Sequence, residues 1–438
     1  MKLSLGSQFA RHTLVLLVSI LLLSTAGGFS TASGLAPACG GWPFCIPSSP
    51  WAWFRTIHVL LAGIAGLLMC SLLVRAWTNW RRHSVILPLT TVTAILFFGQ
   101  AIVGAVQVAR GFPTHLVVLH AATAVSLWIS LLMLAVVANR TTEQERSRAT
   151  HLPKRQLRDF LALGKPWIVA LLLVTTFGGL VAGGRAWPSV SLAIWTLLGG
   201  ALAAAGSSAL NQFIDRDLDK SMQRTSRRPL PAGRLTPAEG LSYGLALCLT
   251  SYYLLACFVN LTAALLSLAG ILYYVVFYSI ILKRSTDQNI VVGGGAGAIP
   301  PMVGWAAAAG HLSLAAWILF LIIFMWTPPH FWALAIVRSK DYQNAGVPML
   351  PVIRGDRAAR RQILVYTILL VATTLLLPLV GAAGIVYIIA ASVLGFTLLR
   401  AAWRVWTVPG NRSAWSMYRW SSLYLMFIFV AIVADAVM

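Results

Sequence analysis

The sequence predicts an all-α, polytopic membrane protein with about 13 transmembrane helices, and three observations carry that prediction. Of its 438 residues, 58% are hydrophobic and only 10% charged, with a mean hydropathy of +0.80, far more apolar than a soluble chain of this length can be. Apolar runs of about 20 residues, enough to cross a hydrocarbon layer as helix, recur from one end to the other. Between them the basic residues fall in alternate short loops. That distribution accounts for the net charge of +22, from 33 Lys and Arg against 11 Asp and Glu, as topology signal and contact with anionic lipid. It removes nucleic acid as a partner and makes the lipid bilayer the partner instead.

Taken in order, runs at about 13–33, 56–76, 85–108 and 116–138 predict a first group of four helices. The first run follows basic residues, as a secretory leader would, but several paired spans come after it, so a retained helix is expected. Residues 141–165 change character: Glu143, Glu145, Arg146, Arg148, Lys154, Arg155, Arg158, Asp159 and Lys165 make a charged linker, the composition of a domain boundary. Nine further spans follow at about 166–184, 190–211, 240–258, 262–282, 290–309, 313–337, 361–380, 384–401 and 418–437. The expected organisation is thus 1–140, a linker 141–165, and 166–438.

Orientation follows from counting Lys and Arg in alternate loops. One set holds Lys2 and Arg11, Arg75 to Arg82, the linker, Lys220 to Arg234, Lys283 to Arg284, Arg338 to Arg361 and Arg400 to Arg419; the other holds little beyond Arg55, Arg110 and Arg185. A cell (inner) membrane protein with a cytoplasmic N-terminus is expected. Cys39 and Cys45 then lie outside, and their spacing permits a disulfide in an oxidising compartment. Cys70, Cys248 and Cys257 sit inside apolar runs and are expected to be core residues.

The chemistry is concentrated in Asn211-Gln212-Phe213-Ile214-Asp215-Arg216-Asp217-Leu218-Asp219-Lys220 and the following Ser221-Met222-Gln223-Arg224-Thr225-Ser226-Arg227-Arg228-Pro229-Leu230. Three of the 11 acidic residues fall within five positions directly after an apolar run. On a continuing helix, Asn211, Asp215 and Asp219 recur at one-turn spacing and share a face, whereas Asp217 points away. Two carboxylates and an amide oxygen suit Mg²⁺, which takes its remaining ligands from water and substrate phosphates. The neighbouring Arg224, Arg227 and Arg228 suit bidentate grip of the same phosphates. A diphosphate substrate at the cytoplasmic face is implied.

Further cytoplasmic stretches point to the same place. Tyr278 to Asn289 carries Lys283 and Arg284 beside Asp287 and Asn289, and leads into Gly293-Gly294-Gly295-Ala296-Gly297 and Pro300-Pro301. The glycines signify close helix approach and not a nucleotide-binding turn. Trp326-Thr327-Pro328-Pro329-His330 ends another run, before Arg338-Ser339-Lys340-Asp341-Tyr342. His330 reads either as a packed, hydrogen-bonded histidine or as a substrate contact.

The pattern N-x-x-x-D-x-x-x-D followed by M-x-R-T-x-x-R-P-L resembles the first aspartate motif of the intramembrane UbiA-type prenyltransferases, specifically the protoheme IX farnesyltransferases (heme O synthases). The resemblance covers roughly 151–438, with Asp341 in the place of a second acidic motif whose usual second carboxylate is here Ala345. It implies a nine-helix prenyltransferase domain, Mg²⁺ as cofactor, and farnesyl diphosphate and protoheme IX (heme b) as substrates. It also implies roles: Asp215, Asp219, Lys283 and Arg284 catalytic; Asn211, Asp215, Asp219 and Asp341 around the metal. Substrate binding falls to Asn211, Arg224, Thr225, Arg227, Arg228, Tyr278, Asn289, His330, Arg338, Asp341 and Tyr342. A quinone-ring prenyltransferase, or a non-enzymatic heme transporter or chaperone, remains open, because composition and spacing do not select heme.

In the first four helices, His58 and His120 fall about one turn inside the second and fourth spans, at similar depth, with His115 nearby. Two imidazoles across a bundle make a b-type heme site; two unrelated interfacial histidines is the alternative. Cys39-Gly40-Gly41-Trp42-Pro43-Phe44-Cys45 and these histidines resemble one half of the heme A synthases. The resemblance covers roughly 10–138 and implies heme b at His58 and His120, and heme A synthase or oxidase-assembly proteins as partners. It departs at Arg55, where that family carries a glutamate, and at Val59, where it carries an arginine. Heme docking rather than autonomous heme A synthesis is therefore expected.

Overall fold

The computed structural model describes residues 8–32, 53–141, 156–283 and 285–438. Cys39, Cys45 and Arg284 lie outside them, as does most of the linker. Among the described residues there are 13 helices long and apolar enough to cross a membrane and no strands, so the all-α polytopic reading holds. Large apolar side chains such as Leu67, Val190, Ile385 and Phe396 are exposed along these helices, as hydrocarbon permits when every backbone group is bonded within its own helix.

The chain divides into two compact units. The first comprises 1–156 with 235–253. Its helices Gln8–Ala32, Trp53–Asn79, Ile86–Ala109 and Thr114–Arg140 pack each against the next, and the fourth closes on the first. The N-terminal part of Pro237–Phe258 belongs to this unit, a feature absent from the expected division. Its start is a reciprocal cap: Glu239 N–H donates to Thr236 Oγ1 (3.2 Å) and Thr236 N–H to Glu239 Oε2 (2.9 Å), the T-x-x-E arrangement that satisfies two end amides. The other carboxylate oxygen of the wholly buried Glu239 meets Arg81 at 2.7 Å. Tyr253 donates to Thr123 at 3.2 Å, its ring filling the space that Gly99 leaves.

The second unit comprises 157–234 and 254–438. It begins with Leu157–Leu163, inside what the sequence suggested as linker, because buried Asp159 pairs with Arg234 at 2.8 Å and the Leu163 carbonyl accepts from Gln212 at 2.8 Å. Helices Pro166–Gly184 and Gly295–Ala309 are in intimate contact: a Cβ on Gly304 would stand 1.9 Å from the Thr176 carbonyl, and one on Gly179 2.1 Å from that of Pro301. Leu314–Val337 packs on the second of these and in turn against Leu350–Thr374 and Asn411–Ala436, which Ile385–Thr407 joins, with Trp332, Tyr387 and Phe429 wholly buried among them. Leu350–Thr374 starts about ten residues before the expected span, with a non-helical break at Gly355 (φ 80°). Cys248 and Cys257 are buried as expected, but Cys70 is exposed on its helix, since a thiol is apolar enough to face lipid.

Candidate active site

The site forms where Val190–Ile214 runs from apolar helix into the densest charge of the chain. Asp215 departs only slightly from helical geometry (φ −86°, ψ 0°), and the short helix Arg216–Ser221 follows at once. The Asp215 amide still donates to the Asn211 carbonyl (2.9 Å) and the Asp219 amide to the Asp215 carbonyl (2.7 Å), so one-turn spacing survives the break. Asn211, Asp215 and Asp219 are therefore buried together on one side. Asp217 stands outside, 68% exposed, beside Lys220 and Arg216.

Each buried carboxylate meets a cation from elsewhere in the sequence. Lys283 Nζ closes on Asp215 Oδ2, and Arg228 reaches Asp219 Oδ2 at 2.7 Å. Asn211 donates its amide N–H to Asp215 (2.8 Å) and to Ser279 Oγ (3.0 Å), while its Oδ1 accepts from Lys165 at 3.3 Å. The amide oxygen thus faces a lysine and not the carboxylates. Lys165, which caps the start of Pro166–Gly184, was not singled out in the sequence. Burial, with the Arg228 and Lys283 charges, lowers its ammonium to about 7 against the pull of Asp219 and Asp215.

Lys283 is delivered by an unusual element. After Leu261–Leu272 the chain winds as a π-helix over Tyr273–Leu282, a form that concentrates at functional sites because it re-aims side chains. Ser279 donates back to the Tyr274 carbonyl (2.9 Å) and Lys283 N–H to that of Tyr278 (2.9 Å). Tyr274 and Tyr278 stack at 5.5 Å. The Tyr278 ring lies on Gly293, whose Cβ would stand 2.2 Å away; the glycine run is there to admit it. Asn289 is buried, donates weakly to the Lys283 and Pro348 carbonyls (3.4 Å each), and keeps a buried Oδ1 with no partner, an acceptor left for a ligand.

The second motif closes over the first. Leu218, next to Asp219, packs with Tyr342 and Ala345 around Ile290, Val347 and Met349. Tyr342 lies close to Arg224, Asp341 and Arg338, and burial raises its phenol above its ordinary value. Asp341 is partly exposed, 3.9 Å from Arg338. Thr225 uses its hydroxyl on the Asp219 carbonyl (3.0 Å), which folds the Arg-rich loop back onto the aspartates, and Arg227 is exposed. His330 is a packed histidine: its Nδ1 meets Ser421 Oγ at 2.8 Å, and its ring stacks on Trp326 (4.3 Å) and Tyr418 (4.6 Å). Asp287 is taken by Arg354.

In the first unit, His58 and His120 lie within electrostatic reach of each other on the second and fourth helices. Arg55 is buried one turn before His58, and His115 is exposed.

Known proteins place both units. A model of the UbiA prenyltransferase family matches residues 172–428, and a model described as cytochrome oxidase assembly protein matches 47–225. The chain belongs to the UbiA prenyltransferase family. This UbiA-family chain is 41% identical over 433 residues to the protoheme IX farnesyltransferase of Roseiflexus sp. (strain RS-1), covering 94% of the chain and 81% of that relative. It is 50% identical over 282 residues to the protoheme IX farnesyltransferase of Gloeobacter violaceus, covering 64% of the chain and 92% of the relative. A solved UbiA homolog from Aeropyrum pernix K1 superposes with a TM-score of 0.51 at 19% identity, over 62% of the chain and 98% of that structure, which concerns the fold.

For a UbiA-family prenyltransferase the donor set suits Mg²⁺ bound with substrate. Among the described residues no three His, Cys, Asp or Glu side chains form a ready metal cage, but Asp215 and Asp219 one turn apart leave coordination positions for water and phosphate oxygens.

Proposed function

We propose that the chain transfers the farnesyl group of farnesyl diphosphate to a vinyl group of protoheme IX, releasing diphosphate and giving heme O. What carries this reading is the pair of buried aspartates, each gripped by a cation and bordered by stacked tyrosines. Mg²⁺, when bound, would supply positive charge to the departing diphosphate at Asp215 and Asp219. Lys283, Arg228 and Lys165 exchange their protein partners for diphosphate oxygens and neutralise the charge that develops as the allylic C–O bond breaks and its electron pair leaves with diphosphate. Tyr274 and Tyr278 present ring faces to the allylic cation. The vinyl π pair forms the new C–C bond, water adds to the resulting cation beside the porphyrin, and loss of its proton leaves the hydroxyethylfarnesyl side chain. Arg224 and Arg338, at the mouth by Tyr342, hold diphosphate as it enters.

The positive loops support a site at the cytoplasmic face of the cell membrane. The first unit holds a heme b between His58 and His120; Arg55 replaces an acid with a cation suited to a propionate, so this unit docks heme and does not oxidise it. Membranes carrying the chain, supplied with farnesyl diphosphate, Mg²⁺ and protoheme IX, are expected to yield heme O by mass analysis. Prenylation of a quinone-ring precursor alone would overturn the reading, as would no diphosphate release.

A further inference from the structure

In the four-helix unit, each of the two histidines is seated against a glycine of the preceding helix. His58 Nδ1 is 2.9 Å from the Leu23 carbonyl of the preceding helix, and the residue one turn on from Leu23 is Gly27. A Cβ there would stand 2.8 Å from the His58 ring. On the helix before His120, Gly104 is placed likewise: a Cβ there would stand 3.0 Å from the His120 ring. Each glycine falls five positions before its helix ends, at Ala32 and at Ala109. Each histidine falls five or six positions after its helix begins, at Trp53 and at Thr114. The two hairpins therefore carry matching sockets.

The physical logic is local. A helical carbonyl has two lone pairs and uses one on the amide four residues later. A side chain at that later position shields the second; glycine leaves it open to a neighbouring helix. A carbonyl can only accept, so His58 must carry its proton on Nδ1, which leaves Nε2 bare, the form a metal takes. His120 keeps a buried Nδ1 with no partner, polar capacity left for a ligand between the helices.

Resting on the reading that this unit holds a heme, we infer that Gly27 and Gly104 are positioning residues. They form paired sockets that fix the orientation of both rings, and with the Leu23 carbonyl the His58 tautomer, before heme arrives. The test uses the purified full-length chain titrated with hemin. The unaltered chain is expected to give a six-coordinate, low-spin spectrum that His58→Ala or His120→Ala abolishes. Gly27→Ala or Gly104→Ala is expected to convert it to high spin or to weaken binding at least tenfold. Gly28→Ala, beside which nothing lies within 4 Å, is expected to keep it. Low-spin binding unchanged in both Gly27→Ala and Gly104→Ala, yet lost in His58→Ala, would overturn the sockets and leave the heme reading standing. If the chain binds no hemin, the heme reading fails. The sockets are then decided by ¹⁵N NMR of the heme-free chain: a His58 Nδ1–H tautomer lost in Gly27→Ala and kept in Gly28→Ala supports them, and no change overturns them.

Discussion

At the scale of single residues, the aspartates separate by the side of the helix they occupy. Asp215→Ala and Asp219→Ala each remove a buried charge that faces Lys283 or Arg228, so prenyl transfer is expected to fall by at least ~10²-fold while the protein still inserts. Asp217→Ala removes a 68% exposed carboxylate beside Lys220 and Arg216, and its turnover should stay within about threefold of the unaltered chain; a steady-state assay at saturating Mg²⁺ compares the three. Lys165 makes a pH-dependent prediction. Its ammonium is lowered to about 7, so above that pH the empty site holds it neutral, and an arriving diphosphate must draw a proton onto it. Binding of inorganic diphosphate, followed calorimetrically without divalent cation, is expected to weaken as pH rises above about 7, by up to tenfold per unit. Lys165→Arg should flatten that dependence, and an equally steep slope in the variant would remove Lys165 from the site.

At the scale of elements, the glycines of the helix pair in the second unit act through space they do not fill. Gly304→Ala would drive a methyl into the Thr176 carbonyl and Gly179→Ala into that of Pro301; backbone cannot yield as a flexible side chain can. Each is expected to destabilise by about 1–3 kcal/mol or more, seen as a lower unfolding temperature in detergent, whereas Gly297→Ala, with nothing within 4 Å, should be neutral. The same elements mark how far the sequence could be read. Asn211, Asp215 and Asp219 were legible because their common face is a property of one helix. Lys165 was not, since its partner Asn211 lies 46 residues away and a lone lysine in a charged stretch looks like linker. The π-helix left no sign either: Tyr273–Leu282 is an apolar run interrupted by Ser279 alone, without Gly or Pro. His330 had two readings, and its stack with Trp326 and Tyr418 favours the packed one, because Tyr418 comes from a helix the sequence could not align with it.

At the scale of the whole molecule, the positive-inside argument makes one connected prediction about topology. The loop that follows Val190–Ile214 holds Lys220, Arg224, Arg227, Arg228 and Arg234, while the loop that precedes it holds Arg185 alone. One span separates them, so they must lie on opposite faces, and the basic one should be cytoplasmic. A cysteine at Gln223, which is exposed, is expected to react with a membrane-impermeant maleimide only after the cells are opened. A cysteine at Trp187, also exposed, should react in intact cells. The same reagent addresses Cys39 and Cys45, which the alternation places with Trp187: a disulfide between them predicts that the unaltered chain is labelled in intact cells only after reduction. Labelling of position 223 in intact cells would invert the orientation, move the aspartate site to the outer face, and leave Cys39 and Cys45 in a reducing compartment where no structural disulfide persists.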